Sequence, residues 1–130
     1  MMMCRGVRGA ITVEENTRDA LLSATRELFD QMIEANGICP GDVASVIFTT
    51  TPDLTVEYPA LAVRLPGWED VAFLCSHEMA VPHGLARCLR ILLHWNTEKP
   101  ASEIRHIYLR GAVVLRPDRA THQIRRREHD

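Results

Sequence analysis

The chain has 130 residues, and its 15 lysines and arginines nearly balance its 17 aspartates and glutamates, for a formal charge of −2. This length predicts one domain that buries about two-thirds of the surface of its unfolded chain. The near balance of charge excludes a general electrostatic attraction to nucleic acid or to an anionic membrane, so we expect neither as a partner. Any site for an anion must therefore be built locally, from a few cationic side chains.

The cysteines and the lack of a long apolar segment indicate a cellular compartment. Cys4, Cys39, Cys75 and Cys88 form neither a C-x-x-C pair nor the regular spacing of a small disulfide scaffold. The opening residues lack the apolar core of a signal peptide, and no window approaches the roughly 18 apolar residues of a membrane span. We therefore expect a cytoplasmic protein with free thiols.

The N-terminal part of the chain predicts a strand followed by a helix. Residues 4–11 alternate with a strand period, and Arg8 lies on the side made of small residues. Residues 16–17, Asn-Thr, offer a helix N-cap, and residues 36–37, Asn-Gly, supply a stop. Between these two pairs, one helical face recurs at the expected spacing: Leu21, Thr25, Leu28, Met32 and Ala35.

The middle of the chain predicts a strand and then a short helix. Residues 43–50 form a β-rich run with little polarity, which is typical of a central strand. Pro59 stands where the first turn of a helix accepts proline. The short helix that follows presents Tyr58 and Arg64.

A second apolar run, over residues 71–75, ends in a thiol, an imidazole and a carboxylate, which are Cys75, His77 and Glu78. We expect a buried strand here that places these polar side chains at the edge of a sheet. On an extended chain Cys75 and His77 share a face, so a cysteine nucleophile is one hypothesis. The other is that Cys75 packs as a small hydrophobic residue at the end of a strand.

Residues 85–93 predict an amphipathic helix. At about 100° per residue Arg90 lies roughly 130° from the centre of the apolar stripe and points away from the core. It either lies in solvent or faces an anion near Cys75 and Glu78. The stripe consists of Leu85, Cys88, Leu89, Leu92 and Leu93.

The C-terminal part of the chain predicts one more strand and a tail. Residues 103–110 alternate, which places Tyr108 on the side opposite Ile107. We expect residues 1–118 to form a single domain. Residues 119–130 are polar, have no apolar face and are expected to be mobile.

The order of these elements predicts the fold class. Strands and helices alternate as strand, helix, strand, short helix, strand, helix, strand, which favours an α/β or α+β layer with helices over a mixed sheet. Polar residues cluster at the strand ends, a pattern compatible with a site at the edge of a subunit.

The sequence supports neither a metal site nor a phosphate- or dinucleotide-binding loop. The six histidines form no H-x-x-x-H or H-E-x-x-H pair, and no cysteine pair complements them, so we expect no metal. Residues 6–9 have neither the spacing nor the lysine of a phosphate-binding loop, and dinucleotide fingerprints are absent.

What remains is an excess of arginines at the ends of elements. A guanidinium group is always charged and cannot act as a general base, so such a set recognises carboxylates and stabilises negative charge. This favours either an enzyme driven by electrostatics and orientation or a regulatory module that binds a dicarboxylate. The set comprises Arg8, Arg64, Arg90 and Arg116, with Tyr58, Tyr108, Cys75 and Glu78 as partners.

Four separated segments, residues 5–14, 51–54, 105–109 and 112–118, closely resemble the monofunctional bacterial chorismate mutases of the Bacillus type. The resemblance implies an α+β fold with a mixed sheet and helices packed on one face. It also implies a homotrimer with a barrel-like core and active sites between subunits. The implied reaction is the rearrangement of chorismate to prephenate in the biosynthesis of phenylalanine and tyrosine, with no cofactor.

The resemblance also implies roles for individual residues. Arg8 would bind a substrate carboxylate, assisted by Tyr108. Arg90 would donate to the breaking ether oxygen, while Glu78 accepts from the ring hydroxyl and Cys75 lies beside it. The other implied contacts come from the adjacent subunit, from the strand before Cys75, and from the tail: Tyr58, Ala60 and Arg64, then Phe73 and Leu74, then Leu115 and Arg116.

At two positions the chain departs from the family pattern. Leu61 stands where the family can carry a lysine near the substrate, so that charge is absent or replaced by Arg64 or Arg116. Leu74 stands where a threonine can occur, so that only backbone contacts carry over there.

Overall fold

The computed structural model describes residues 1–115. The strands are β1 (Met3–Thr12), β2 (Val43–Thr50), β3 (Ala72–His77), β4 (Cys88–Thr97) and β5 (Ile107–Leu109), and the α-helix is α1 (Arg18–Asn36). The predicted strands β1, β2 and β3, the predicted helix α1, and the short helix, a 3₁₀ helix over Pro59–Val63, are confirmed. The prediction that β3 is buried is wrong, because β3 is an edge strand whose residues are exposed or half-buried. Arg116 and the predicted tail 119–130 lie outside the described residues.

The described strands form one mixed sheet in the order β3-β2-β4-β1-β5. The central strand β4 is antiparallel to both of its neighbours, β1 and β2. The outer pairs, β1 with β5 and β2 with β3, are parallel. This arrangement confirms the predicted α+β class with a mixed sheet.

Helix α1 begins and ends where the sequence predicted. The hydroxyl of Thr17 accepts the backbone N–H of Ala20 at 3.3 Å, and Gly37 adopts a left-handed conformation with φ of 68°. The helix packs closely on β1 because Gly9 has no side chain. A Cβ built at Gly9 would lie 2.5 Å from the sulfur of Met32.

The helix predicted over residues 85–93 is wrong, because the chain forms strand β4 there. Leu89, Ile91 and Leu93 are buried on the face toward α1, while Cys88 is buried on the opposite face. The opposite face of β4 is polar except at Cys88 and Leu92, and these two apolar residues interrupt the alternation that marks a half-buried strand and fit a helical stripe instead. Arg90 still points away from the main core, as predicted. The reason is different, because alternate residues of a strand point to opposite faces of the sheet.

The strand predicted over residues 103–110 is shorter than expected. Only Ile107–Leu109 pairs with β1, and Ala101–Glu103 forms a 3₁₀ helix before it. The buried side chain of Asn36 accepts the N–H of Arg105 at 2.8 Å and donates to its carbonyl at 2.9 Å. An amide side chain therefore replaces a neighbouring strand at Arg105.

Tyr108 lies on the side opposite its strand neighbours, as predicted. It packs against a small cluster of buried residues that includes Ala10, while Ile107 and Leu109 pack against the main core. Within residues 1–115, no helix is both long enough and apolar enough to cross a membrane.

Candidate active site

The face of the sheet opposite α1 carries a row of side chains across the five described strands. Strand register places Tyr108 of β5 beside Ala10 of β1, and Ala10 beside Arg90 of β4. Arg90 is in turn beside Thr49 of β2, and Thr49 beside Ser76 of β3. Because residues in register point to the same face, Arg90 and Tyr108 flank Ala10, whose small side chain leaves room between them.

Arg90 faces the carboxylate of Glu78. Nε of Arg90 lies 3.6 Å from Oε2 of Glu78, and the two side chains are 46% and 35% exposed. The backbone N–H of Glu78 donates to the carbonyl of Thr50 at 2.7 Å, and its Oε1 accepts the N–H of Met79 at 3.0 Å. A guanidinium group has five N–H donors, so this long contact leaves donors for a ligand.

A small apolar cluster lies beneath Arg90. It consists of the buried residues Ala10, Cys88 and Ala112, with Tyr108 and Leu115 packed against it. Burial raises the pKa of the Cys88 thiol, although the guanidinium of Arg90 acts in the opposite direction. The thiol of Cys88 is therefore neutral and adds no charge beside Arg90.

Arg8 lies on the same face of the sheet as Ala10, two residues earlier on β1. Its register partner is Leu92 of β4. The backbone N–H of Arg8 donates to Nδ1 of His106 at 2.9 Å, just before Gly9 begins the pairing of β1 with β5. The imidazole of His106 thus extends the contact between these strands and fixes the backbone at Arg8.

These side chains surround one cleft of about 230 Å³. Two guanidinium groups and one carboxylate line it, so its formal charge is positive and favours an anionic ligand. A phenol and an aliphatic side chain complete the set. The predicted site residues that the structure brings together here are Arg8, Glu78, Arg90, Tyr108 and Leu115.

Cys75 lies on the other face of the sheet, in register with Phe48, where it packs against the main core. Burial raises the pKa of its thiol, against the smaller opposing effects of the backbone at the buried Ala60 and of the charge on Arg64. The thiolate is therefore disfavoured at neutral pH, which weakens the hypothesis of a cysteine nucleophile. Within one chain the structure does not bring Cys75 beside Arg90.

The other predicted residues lie toward the edge strand β3. Tyr58 is 69% exposed and shares a second cleft, of about 360 Å³, with Cys75. Arg64 and Phe73 line a third, of about 550 Å³. Leu74 is 62% exposed on the outer surface of β3. In a single chain, the predicted site residues therefore form two separate groups.

Comparison with known protein families identifies the family of the chain that carries this cleft. A family model described as chorismate mutase type I matches residues 4–119. The chain belongs to the type I chorismate mutase family. Membership makes it an isomerase, in agreement with the resemblance carried by its motifs. Among residues 1–115 of this family member, no group of three or more histidines, cysteines, aspartates or glutamates is placed to hold a metal ion.

Individual chorismate mutases agree with the family assignment. Chorismate mutase AroH of Thermus thermophilus is 53% identical over 117 residues, which cover 89% of this chain and 96% of that protein. Chorismate mutase AroH of Bacillus subtilis (strain 168) is 46% identical over 118 residues, covering 90% and 93%. The solved structure of a chorismate mutase from Clostridium thermocellum superimposes with a TM-score of 0.81 at 43% identity, covering 84% of this chain and 97% of that one.

Sequence reasoning missed Thr49 in this chorismate mutase cleft. Thr49 lies beside Arg90, and its hydroxyl is 3.5 Å from Oε2 of Glu78. The signal was present in β2, where Val46 and Phe48 are fully buried and alternate with the half-buried Thr49. Reading residues 43–50 as uniformly apolar concealed this alternation.

Proposed function

We propose that the chain isomerises chorismate to prephenate in the cleft between Arg8 and Arg90. The reaction breaks one carbon–oxygen ether bond and forms one carbon–carbon bond within the same molecule, so that no proton or group needs to be transferred. One observation carries the proposal: two guanidinium groups share a cleft with the carboxylate of Glu78. Such a set binds a dicarboxylate and stabilises an oxygen that gains negative charge.

Each polar group has a role in this reaction. Arg8 binds a carboxylate of the substrate, and the phenol of Tyr108 assists it. Arg90 donates to the ether oxygen as the bond breaks, and Glu78 accepts a hydrogen bond from the ring hydroxyl. The long distance between Arg90 and Glu78 supports these roles, because a ligand can enter without breaking a tight hydrogen bond.

Orientation and electrostatic stabilisation together can account for a large rate acceleration without covalent catalysis. A millionfold acceleration requires about 8 kcal/mol. Orientation effects reach ~7–11 kcal/mol, and fixing the flexible enolpyruvyl arm in its reactive shape is an effect of this kind. A donor placed at the oxygen that gains charge adds ~2.7–4 kcal/mol. We therefore propose that no acid, base, nucleophile or cofactor takes part.

We also propose that the active protein is a homotrimer whose sites lie between subunits. The two separate groups of predicted residues support this, since Tyr58, Ala60 and Arg64 of one subunit can complete the Arg90 cleft of the next. Exposed apolar side chains give further support, because large apolar groups in water mark interaction surfaces. They include Leu74, Met79, Val113 and Val114.

The four thiols support a cytoplasmic location. Cys4, Cys39, Cys75 and Cys88 are all free, as expected in a reducing compartment. In the cytoplasm the reaction would serve the biosynthesis of phenylalanine and tyrosine.

An absorbance assay tests the reaction directly. Purified protein is mixed with chorismate, and the decay of the ultraviolet absorbance of chorismate is followed together with the appearance of prephenate. We expect turnover without added metal or cofactor. A protein that binds chorismate but leaves it unchanged would instead be the dicarboxylate-binding regulatory module that the arginine set also allows.

Mixed oligomers test where the site lies. Arg90→Ala and Arg64→Ala subunits carry different tags, are expressed together and are purified over both tags. If a site needs Arg90 from one subunit and Arg64 from another, each variant alone has low activity and the mixed oligomer regains part of it. Activity no higher than the mean of the two parents would place both arginines in one subunit's site.

A further inference from the structure

A polar cluster at the start of β4 has no part in the proposed chemistry. Its members are Thr51, Asp53, Arg87 and Cys88, and we call it the β4 anchor. Thr51 and Asp53 belong to one of the segments that carry the family resemblance. Arg87 lies just before β4, and Arg90 follows Cys88 by two residues.

Thr51 binds the first residue of β4 through both its backbone and its side chain. Its N–H donates to the carbonyl of Cys88 at 2.9 Å, and its hydroxyl oxygen accepts the N–H of Cys88 at 2.9 Å. The same hydroxyl donates its proton to Oδ1 of Asp53. A single side chain thus links the peptide group that begins β4 to a carboxylate.

Asp53 binds the preceding residue. Its Oδ2 accepts the N–H of Arg87 at 2.9 Å. Slight burial of Asp53 would raise its pKa, but the hydrogen bonds from Thr51 and Arg87 outweigh this effect and lower the pKa, so the group is a carboxylate at neutral pH. Arg87 has a φ of 45°, a conformation that side chains other than glycine rarely adopt and that must be held by its surroundings.

Arg87 also joins this corner to the end of β1. Its Nε donates to the carbonyl of Val13 at 3.0 Å, and its own carbonyl accepts the N–H of Val13 at 2.7 Å. Thr50, the residue before Thr51, binds the other side of the cleft: its carbonyl accepts the N–H of Glu78. One short stretch of backbone therefore sets the positions of both Arg90 and Glu78.

We infer that Thr51 and Asp53 are positioning residues for Arg90. Neither residue lines the cleft. Their hydrogen bonds fix the backbone at Arg87 and Cys88, where β4 begins, so that the guanidinium of Arg90 meets the ether oxygen of the substrate. The inference rests on the proposed function. Precision matters at this point, because a misplacement of about 1 Å can reduce a rate ~100-fold.

Matched variants test the inference. Thr51→Val keeps the shape of the side chain but removes the hydroxyl, and Asp53→Asn removes the charge that accepts from Arg87. We expect each to lower kcat ~10-fold with KM within about twofold, because the lost interaction acts in the transition state. Thr51→Ser, which restores the hydroxyl, should recover most of the rate. Asp30→Asn, which removes a carboxylate bound to Arg26 on α1, is the remote control.

A double-mutant cycle separates positioning from stability. Asp53→Asn is introduced into wild type and into Arg90→Ala. If Asp53 acts through Arg90, the loss in kcat is seen in wild type and disappears in the Arg90→Ala background. Equal losses in both backgrounds, or a lower Tm with unchanged kcat, would overturn the inference. Failure of the wild-type protein to convert chorismate would instead contradict the proposed function, so the two failures are distinguishable.

Discussion

The two faces of the sheet are built from alternate residues of the same strands, yet they differ in burial and polarity. The face toward α1 is mostly buried and apolar, with Val7 and Ile11 of β1 beside Leu89 and Leu93 of β4. The opposite face holds half-exposed polar side chains, with Arg90 facing Glu78 at 3.6 Å. One face is held by close packing, and the other by strand register and a few long polar contacts.

The difference separates stability from rate. Burial of apolar area contributes most of the free energy of folding, whereas half-exposed ion pairs contribute little. A substitution on the helix face should therefore change the free energy of unfolding. A substitution on the open face should change kcat and leave the fold in place.

Arg90→Ala should give the largest change on the open face. We expect kcat to fall at least ~100-fold, because the donor to the ether oxygen acts in the transition state. The free energy of unfolding should change by less than about 1 kcal/mol, since the ion pair with Glu78 is half exposed. Steady-state kinetics on chorismate and urea unfolding measure the two quantities.

Leu93→Ala is the matched control, because Leu93 lies on the same strand and is fully buried on the other face. It should lower the free energy of unfolding by about 2–5 kcal/mol. While the protein remains folded, kcat should stay near that of wild type. Near-normal kcat in folded Arg90→Ala would remove Arg90 from the mechanism.

Gly9→Ala tests how closely α1 packs on the sheet. The added methyl group would lie 2.5 Å from the sulfur of Met32 and 3.0 Å from a methyl group of Leu28, so both side chains must move. Overpacking of this kind costs about 1–3 kcal/mol. We expect a lower midpoint of urea unfolding. Gly41→Ala is a suitable control, because a Cβ there meets no atom within 4 Å among the described residues; equal midpoints would show that the helix adjusts at no cost.

Cys75→Ser should have the smallest effect. The thiol packs against the core face and its pKa is raised, so it contributes contacts and not covalent chemistry. Cys75 lies on the edge strand, and in the proposed trimer it contacts the substrate bound by the next subunit, so loss of a neutral contact of about 0.5–1.5 kcal/mol corresponds to a change of ~2–10-fold in kcat. The raised pKa also means that Cys75 alkylates more slowly at pH 8 than the exposed Cys4 and Cys39. A covalent adduct of substrate on wild-type Cys75 would contradict this prediction.

Local signals predicted the parts of the fold that depend on local physics. The cap at Thr17, the stop at Gly37 and the periodicity between them were sufficient to place α1. Residues 88–97 were different. Leucine and arginine favour a helix, and the apolar Leu92 interrupts the strand alternation and completes a stripe of helical period, so propensity and pattern were both misleading there. Only pairing with β1 and β2 decides that this segment is a strand.

The site was predictable as a set of residues but not as an arrangement. The charge of the arginines and the family resemblance identified Arg8, Arg90 and Glu78. Their juxtaposition depends on strand register, which places Arg90 next to Thr49 and Ala10. No hairpin turn joins β4 to β1 or β2, so the register of these pairs is set by packing between distant parts of the chain and not by a local turn.

Strand order also affects how the protein is made. β1 is translated before the other described strands, but its partners β4 and β5 are the last two of them, with Gly9 paired to both Ile91 and Ile107. Closure of such long loops slows folding, and unpaired strands are prone to aggregate while they wait. Arg8 and Arg90 come to line one cleft only after β4 has been translated, so a nascent chain that ends before β4 lacks the proposed active site.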